Sequence, residues 1–171
     1  MYFPQTIMKK KWEAKVSTTL LSSKSHQIWP LLKDFFNIHK YFSSLSNSNG
    51  IHGTNGEVGC IRLCIGSSIP PTKGCDPKIN GGEVVSWSKE RLIAVDEVNM
   101  RLSYEIVDSN IGFTSYVSTV KIIQGGDEGC VIEWSFTVDP VQGLRFEDLV
   151  KKYESGLHRM AKTMEDSLEN P

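Results

Sequence analysis

The stretch GLRFEDLVKKYESGLHRMAKTMEDSL, residues 143–168, decides the fold. Its apolar side chains are Phe146, Leu149, Val150, Tyr153, Leu157, Met160, Ala161, Met164 and Leu168. Their spacing of three and four puts them all on one face of a helix. Glu147, Asp148, Lys151, Lys152, Glu154, Arg159, Lys162 and Glu165 take the other face. A helix this long with one apolar side needs an equally broad partner. The chain before it supplies strand-like segments, so the expected architecture is α+β, a curved antiparallel sheet gripping the C-terminal helix. Gly156 interrupts the helix at its middle. An interior Gly costs roughly 1 kcal/mol relative to Ala, and marks close packing on a strand, a gentle bend, or room kept for a ligand.

Upstream, residues 1–10 are expected to form a flexible N-terminus and 11–169 a single ligand-binding domain, within the size range of one core. Trp12, Ala14, Val16 and Thr18 alternate with Glu13, Lys15 and Ser17, which predicts the first strand over 12–21. Ile28, Trp29, Leu32 and Phe35 predict a helix over 26–36, broken by Pro30, which is tolerated only in a first turn. A second short helix follows over 36–42. After a Ser-, Asn- and Gly-rich segment with a short strand near Ile51, strands are predicted over 57–65, 83–90, 92–97, 101–107, 114–123 and 130–138, about seven in all. The 66–82 segment carries Pro70, Pro71, Gly74, Pro77 and Gly81-Gly82. A loop of this length in a compact domain is commonly functional, so a lid over a cavity entrance is expected. There are no alternating strand-helix units and no internal repeat, which disfavours a parallel sheet. A sheet wrapped on one helix leaves a cavity between them, and such cavities take small apolar or amphipathic molecules.

The formal net charge is −1 and the longest basic run is Lys9 to Lys11, which excludes nucleic acid as the expected partner. No stretch reaches bilayer-spanning length and no apolar leader opens the chain, so a cytoplasmic protein, monomeric or weakly dimeric, is expected. Nothing suggests the secretion that would pair Cys60, Cys64, Cys75 and Cys130 as disulfides; Cys60 and Cys64, on one face of a predicted strand with no zinc spacing around them, read as small apolar residues and as candidates to line the pocket. No metal is expected. His26, His39, His52 and His158 are scattered. His39 reads as a structural hydrogen-bonding residue beside the short helix, and His158 neighbours the apolar helix face. No nucleophile elbow, phosphate loop or dinucleotide fingerprint is present.

Several segments together carry a resemblance. They are Lys11-Trp12, Leu31-Leu32-Lys33-Asp34-Phe35-Phe36-Asn37-Ile38-His39-Lys40, Val58-Gly59-Cys60-Ile61-Arg62, Trp87-Ser88-Lys89-Glu90-Arg91-Leu92, Asn99-Met100, Ser103-Tyr104 and Trp134-Ser135-Phe136. In this order, from about Lys11 to Glu165, the chain resembles the plant lachrymatory-factor synthases. These belong to the polyketide cyclase/dehydrase and lipid-transport superfamily, with the helix-grip fold of birch-pollen allergens, START domains and abscisic-acid receptors.

The resemblance implies a catalytic Arg at Arg62, a catalytic Glu at Glu90, and pocket tyrosines at Tyr104 and Tyr116. It implies proton relocation without a cofactor: in the onion-type enzyme an alkenyl sulfenic acid becomes a thial S-oxide. Strand alternation agrees on orientation. Arg62 shares a face with Val58, Cys60 and Cys64, Tyr104 with Leu102 and Ile106, and Trp134 with Ile132 and Phe136. An Arg and a Glu on such faces form either a ligand-facing pair or a salt bridge that closes the sheet. The ligand-binding set is expected to include Lys40, Cys60, Cys64, Trp134, Phe136, Tyr153 and Leu157. The loop between Gly66 and Trp87 is longer than in the onion-type enzymes, which changes the pocket mouth, so another isomerase or cyclase reaction stays open. A non-catalytic carrier or sensor is the alternative. Gly66 to Pro71 is similar to the gate of abscisic-acid receptors and Lys40 falls near their carboxylate-binding Lys. Their His-Arg-Leu latch is absent from residues 108–114, which argues against a phosphatase-binding receptor.

Overall fold

The computed structural model describes residues 10–66, 69–72 and 85–170. Seven strands form one antiparallel sheet: β1 (Trp12–Leu20), β2 (Asn47–His52), β3 (Ile61–Ile65), β4 (Trp87–Asp96), β5 (Arg101–Ser109), β6 (Val117–Gln124) and β7 (Cys130–Val138). Their order across the sheet is β1-β7-β6-β5-β4-β3-β2. Helix α1 (Ser25–Lys33) and a 3-10 helix (Phe35–Lys40) fill the crossover from β1 to β2, and α2 (Phe146–Glu169) closes the chain. This is the helix-grip architecture expected from the 143–168 stretch.

Helix α2 buries Leu149, Tyr153, Gly156, Leu157, Met160, Ala161 and Met164, the face its spacing selects. Its chief partner in the sheet is β1. Glu147 and Asp148 sit in its first turn, where carboxylates suit the positive end of the helix dipole. Near its far end, one Glu165 oxygen accepts from the Ser22 N–H at 3.0 Å and from the Ser22 hydroxyl at 2.7 Å, tying α2 to the β1–α1 turn. Gly156 has a specific neighbour. A Cβ there would stand 3.0 Å from two atoms of the Phe42 ring. The helix is therefore open at its middle for an aromatic ring, not for a strand.

Several local expectations need correction. Pro30 lies inside α1, past its first turn. Its missing N–H would have paired with His26; both residues are exposed, so water can serve that carbonyl. The second short helix is 3-10 and runs Phe35–Lys40. Val58 is 62 % exposed, because β3 begins only at Ile61 and a tight turn with Gly59 at φ +96° precedes it. The strands expected over 83–90 and 92–97 form one strand, β4, that runs through Arg91. Its pairing with β5 shifts register between Lys89 and Glu90 and again between Leu92 and Ala94. Bulges of this kind bend a strand without ending it. The charged run Lys89-Glu90-Arg91 reads like a turn. In the sheet its members alternate faces, and Arg91 pairs with Glu105 opposite it on β5 at 2.9 Å.

The proposed lid over 66–82 lies largely outside the described residues. Of its described part, Ile69 is buried and the Thr72 N–H donates to the Asn110 carbonyl at 2.8 Å. Asn110 is itself buried, and both polar atoms of its side chain are hydrogen-bonded. Its Oδ1 accepts from the Trp87 N–H and its Nδ2 donates to the Val85 carbonyl, each at 2.8 Å. Thus β4, the β5–β6 connection and residues 69–72 meet at one amide. The 3-10 helix is fixed through Ser48, whose hydroxyl donates to the Phe36 carbonyl at 2.8 Å and meets His39 Nδ1 at 2.7 Å.

Candidate functional site

Strands β3 and β4 place Arg62 directly opposite Glu90 in antiparallel register. Both side chains point to the concave face, and they are only 7 % and 13 % exposed. Arg62 Nε donates to Glu90 Oε2 at 2.7 Å, and Nη2 lies 2.6 Å from the same oxygen. Nη1 donates to the Phe35 carbonyl at 2.9 Å. The guanidinium lies 3.8 Å over the Phe35 ring and 5.0 Å from the Tyr104 ring centre, a cation–π arrangement that suits Arg. Three of its five N–H groups are thereby used, and two stay uncommitted among the described residues. Glu90 Oε1 accepts from the Ser88 hydroxyl at 3.1 Å and keeps lone-pair capacity. Burial alone would pull the Arg62 pKa down. The charge of Glu90, aided by Cys64 and Tyr104, outweighs it and holds the guanidinium above its ordinary range.

A tier of phenols continues from this pair. The Tyr104 ring lies 6.2 Å from that of Tyr116, and the Tyr116 hydroxyl meets the Tyr153 hydroxyl of α2 at 2.5 Å. Tyr153 packs 4.5 Å from Trp134 and 4.3 Å from Phe136, centre to centre. Trp134 Nε1 donates to Ser118 Oγ at 2.6 Å, and that hydroxyl donates onward to the Ser135 carbonyl at 3.0 Å. Burial, reinforced by the Glu90 charge, pushes Tyr104 up to about 12. Burial and the neighbouring tyrosines hold Tyr116 and Tyr153 well above the ordinary phenol range. All three therefore carry their protons at neutral pH and present O–H groups able to donate.

These groups wall a cavity of about 120 Å³ between the sheet and α2. An apolar cavity of roughly 150 Å³ takes a benzene molecule, whereas drug-sized ligands need about 300–1,000 Å³. The space suits a small molecule. Arg62, Glu90, Tyr104, Tyr116, Trp134, Tyr153 and Cys64 all line it. Burial, then the Glu90 charge, pushes the Cys64 thiol up, so it is a neutral thiol there. The remaining expected residues fall elsewhere. Lys40 is exposed at the end of the 3-10 helix and is not part of the lining. Cys60, Phe136 and Leu157 are buried but lie outside the lining, with Phe136 backing Tyr116 and Tyr153. Among the described residues no group of three His, Cys, Asp or Glu side chains could hold a metal ion. None of their helices is long and apolar enough to cross a membrane.

Sequence reading missed Ser88, Phe35, Phe42, Ile111, Phe113 and Lys152. The alternation of β4 puts Ser88 on the face of Glu90, a signal present in the sequence. Ile111 and Phe113 sit in an irregular connection with no periodicity to read. Lys152 belongs by helical periodicity to the polar face, yet it is half-buried at the cavity.

Comparison with known proteins agrees with this architecture. Two solved structures share it: the protein XoxI of Bacillus cereus, 17 % identical, and an uncharacterised protein of Bacillus thuringiensis, 18 % identical. The first match covers 92 % of this chain and 96 % of the other with a TM-score of 0.65. The second covers 89 % and 98 % with a TM-score of 0.66. At these identities they speak for the fold alone. The family model described as polyketide cyclase / dehydrase and lipid transport matches residues 13–165, nearly the whole described sheet and helix. The chain belongs to the polyketide cyclase/dehydrase and lipid transport family.

Proposed function

We propose that this protein is a small-molecule isomerase or cyclase that moves a proton within a reactive substrate held in the cavity. The observation that carries the reading is the buried Arg62–Glu90 pair at the wall of a mainly apolar and aromatic space. A buried ion pair gives little net stability compared with apolar side chains of similar volume. Here both partners keep unused hydrogen-bonding capacity toward the cavity. Glu90 is the base, through Oε1. Arg62 holds and polarises the substrate oxygen as charge develops on it, which suits a planar guanidinium. Tyr104 and Tyr116, protonated at neutral pH, orient the substrate and supply a proton.

The resemblance to lachrymatory-factor synthases selects the first substrate to try, an alkenyl sulfenic acid. Glu90 takes the S–OH proton and the oxygen becomes the S-oxide held by Arg62. A proton is delivered to the alkenyl carbon one removed from sulfur, and the C=C bond gives way to C=S. Atoms and charge balance, since one proton leaves and one arrives. The small, apolar cavity suits such a species and limits its contact with water. The test generates the sulfenic acid in place from an alkenyl cysteine sulfoxide with alliinase and follows thial S-oxide. Its appearance above the protein-free reaction supports the narrow form.

A second reading, a carrier or sensor of hydrophobic ligands, draws on the mainly apolar lining and the family's lipid-transport members. It predicts binding of small apolar acids or phenolics with defined stoichiometry and no turnover. The cavity volume favours the first reading, because long acyl chains do not fit in about 120 Å³.

A further inference from the structure

We infer that Tyr153, on α2, is a further catalytic residue: with Tyr116 it makes a two-phenol acid that delivers the proton from the helix wall of the cavity. The inference rests on the proton-moving reaction proposed above and names the group that completes it.

In that reaction one proton leaves an oxygen and another arrives at a carbon, so the base and the acid must reach separate atoms. Glu90 rises from β4, and Tyr104 stands on the same sheet wall, beside Arg62. Among the described residues, Tyr153 is the one phenol that the helix contributes to the lining. Its ring packs 4.5 Å from Trp134 and 4.3 Å from Phe136, which fixes its hydroxyl 2.5 Å from that of Tyr116. Among the described residues that contact is the Tyr153 hydroxyl's one hydrogen bond.

Two hydroxyls joined by one hydrogen bond carry two hydrogens, and the bond uses one. With Tyr116 as donor, the Tyr153 hydrogen is left for the cavity. When the Tyr153 O–H bond breaks and a C–H bond forms on the substrate, the phenolate oxygen already faces its stabilising donor. The 2.5 Å separation falls in the range, roughly 2.5–2.7 Å, of a hydroxyl on an oxyanion. Ser118 cannot take that part, because its hydroxyl donates to the Ser135 carbonyl. Electrostatics favour the same order. Burial, then the neighbouring tyrosines, raises both phenols, while the bond between them adds to Tyr116 and subtracts from Tyr153, so Tyr153 releases first. The balance closes without another reactant. Glu90 gains the substrate's O–H proton, the carbon gains that of Tyr153, and the proton on Glu90 returns to the phenolate through water that enters as product leaves.

Two other roles compete. The phenol pair could be a strut between α2 and the sheet, or Tyr153 could only bind substrate. Tyr153→Phe separates all three, since it removes one oxygen and keeps the packed ring. The experiment is steady-state turnover of the alliinase-generated sulfenic acid, with a melting curve, for the wild type, Tyr153→Phe, Tyr116→Phe and the double variant. The expected result is a folded Tyr153→Phe protein with kcat lower by at least about 100-fold and KM within about twofold of the wild type, as loss of an interaction made only in the transition state gives. Tyr116→Phe lowers kcat by at least about tenfold, and the double variant is slower than Tyr153→Phe by no more than about twofold, because the hydroxyls act as a unit. Wild-type kcat in folded Tyr153→Phe overturns the inference, whether the melting temperature falls, as for a strut, or KM rises, as for a binding contact. Fully additive losses in the double variant overturn it too. If Tyr153→Phe does not fold, Tyr116→Phe decides: a tenfold loss supports the pair and an undiminished kcat overturns it. In each of these outcomes product from the wild type leaves the proposed reaction standing. No product from the wild type removes that reaction and this inference with it.

Discussion

Breaking the Arg62–Glu90 pair and replacing it whole are predicted to have opposite consequences. In Arg62→Leu the buried Glu90 keeps only the Ser88 hydroxyl, and the Phe35 carbonyl loses its donor. The guanidinium contacts over Phe35 and Tyr104 go as well. Removing one partner of a buried pair costs about 3–5 kcal/mol, because the other charge stays behind unpaired. For a chain of this size each kcal/mol moves the melting temperature by about 2–4 °C, so a fall of about 6–20 °C is expected. The double variant Arg62→Met/Glu90→Leu leaves no charge behind. Similar replacements elsewhere are neutral or stabilising by about 1–4 kcal/mol, so its melting temperature should return to within a few degrees of the wild type or exceed it. Both variants should lose function. Thermal unfolding followed by far-ultraviolet circular dichroism checks the first half, and turnover of the alliinase-generated sulfenic acid the second. A double variant as unstable as the Arg62→Leu single would refute the reasoning, since the pair would then be holding the sheet together.

The raised tyrosines give an alkaline signature. Tyr104 is pushed to about 12 in the fold against an ordinary phenol near 10. Between those values the unfolded chain has released the proton and the fold retains it, so stability is full below about pH 10 and falls as pH rises toward 12. Tyr104 alone accounts for on the order of 2–3 kcal/mol over that window. Melting temperatures from pH 9 to 11.5 should drop steeply, less so in Tyr104→Phe, and equal slopes in the two proteins would count against it. Gly156→Ala should press the added Cβ on the Phe42 ring and push that ring into the cavity. The helix gains up to about 1 kcal/mol from the exchange, so affinity for a small phenolic is expected to fall while stability changes by less than that amount. Calorimetry and melting on one sample decide this, and unaltered affinity is the adverse outcome. Leu157 is fully buried in α2, and Leu157→Ala should cost about 2–5 kcal/mol. A loss under 1 kcal/mol in urea denaturation would mean that α2 does not hold the core.

What the sequence made legible, and what it hid, has a physical pattern. The α2 face was readable because burial selects one stripe of a regular helix, and nearly seven turns over 24 residues are hard to mistake. β7 was readable to its ends because its alternation is bounded by Gly-rich residues before it and Asp139-Pro140 after it. β4 was read as two strands because bulges and cross-strand charge pairs leave no mark in local sequence. Glu90 and Arg91 look solvated until their partners Arg62 and Glu105 are known. The site followed the same division. Arg62, Glu90, Tyr104, Trp134 and Tyr153 sit on regular elements and Tyr116 directly precedes β6, and all were named from face and motif. Phe42, Ile111 and Phe113 belong to connections, where tertiary packing alone decides direction. Lys40 was misplaced because a charge on the last residue of a short helix has nothing local to turn it inward. Lys152 was hidden because helical periodicity assigns it to the polar face, whereas it is half-buried at the cavity.

The most direct test of the central claim is turnover of the alliinase-generated sulfenic acid by the wild type and Glu90→Gln, side by side, with a melting curve for each. Glu90→Gln keeps the shape of the side chain and an acceptor for Arg62 but removes the base. The account predicts thial S-oxide from the wild type and a rate lower by roughly 10²–10⁴-fold from a folded Glu90→Gln protein, the range for loss of general acid–base help. Equal rates from the two folded proteins, or no product from the wild type, would contradict it.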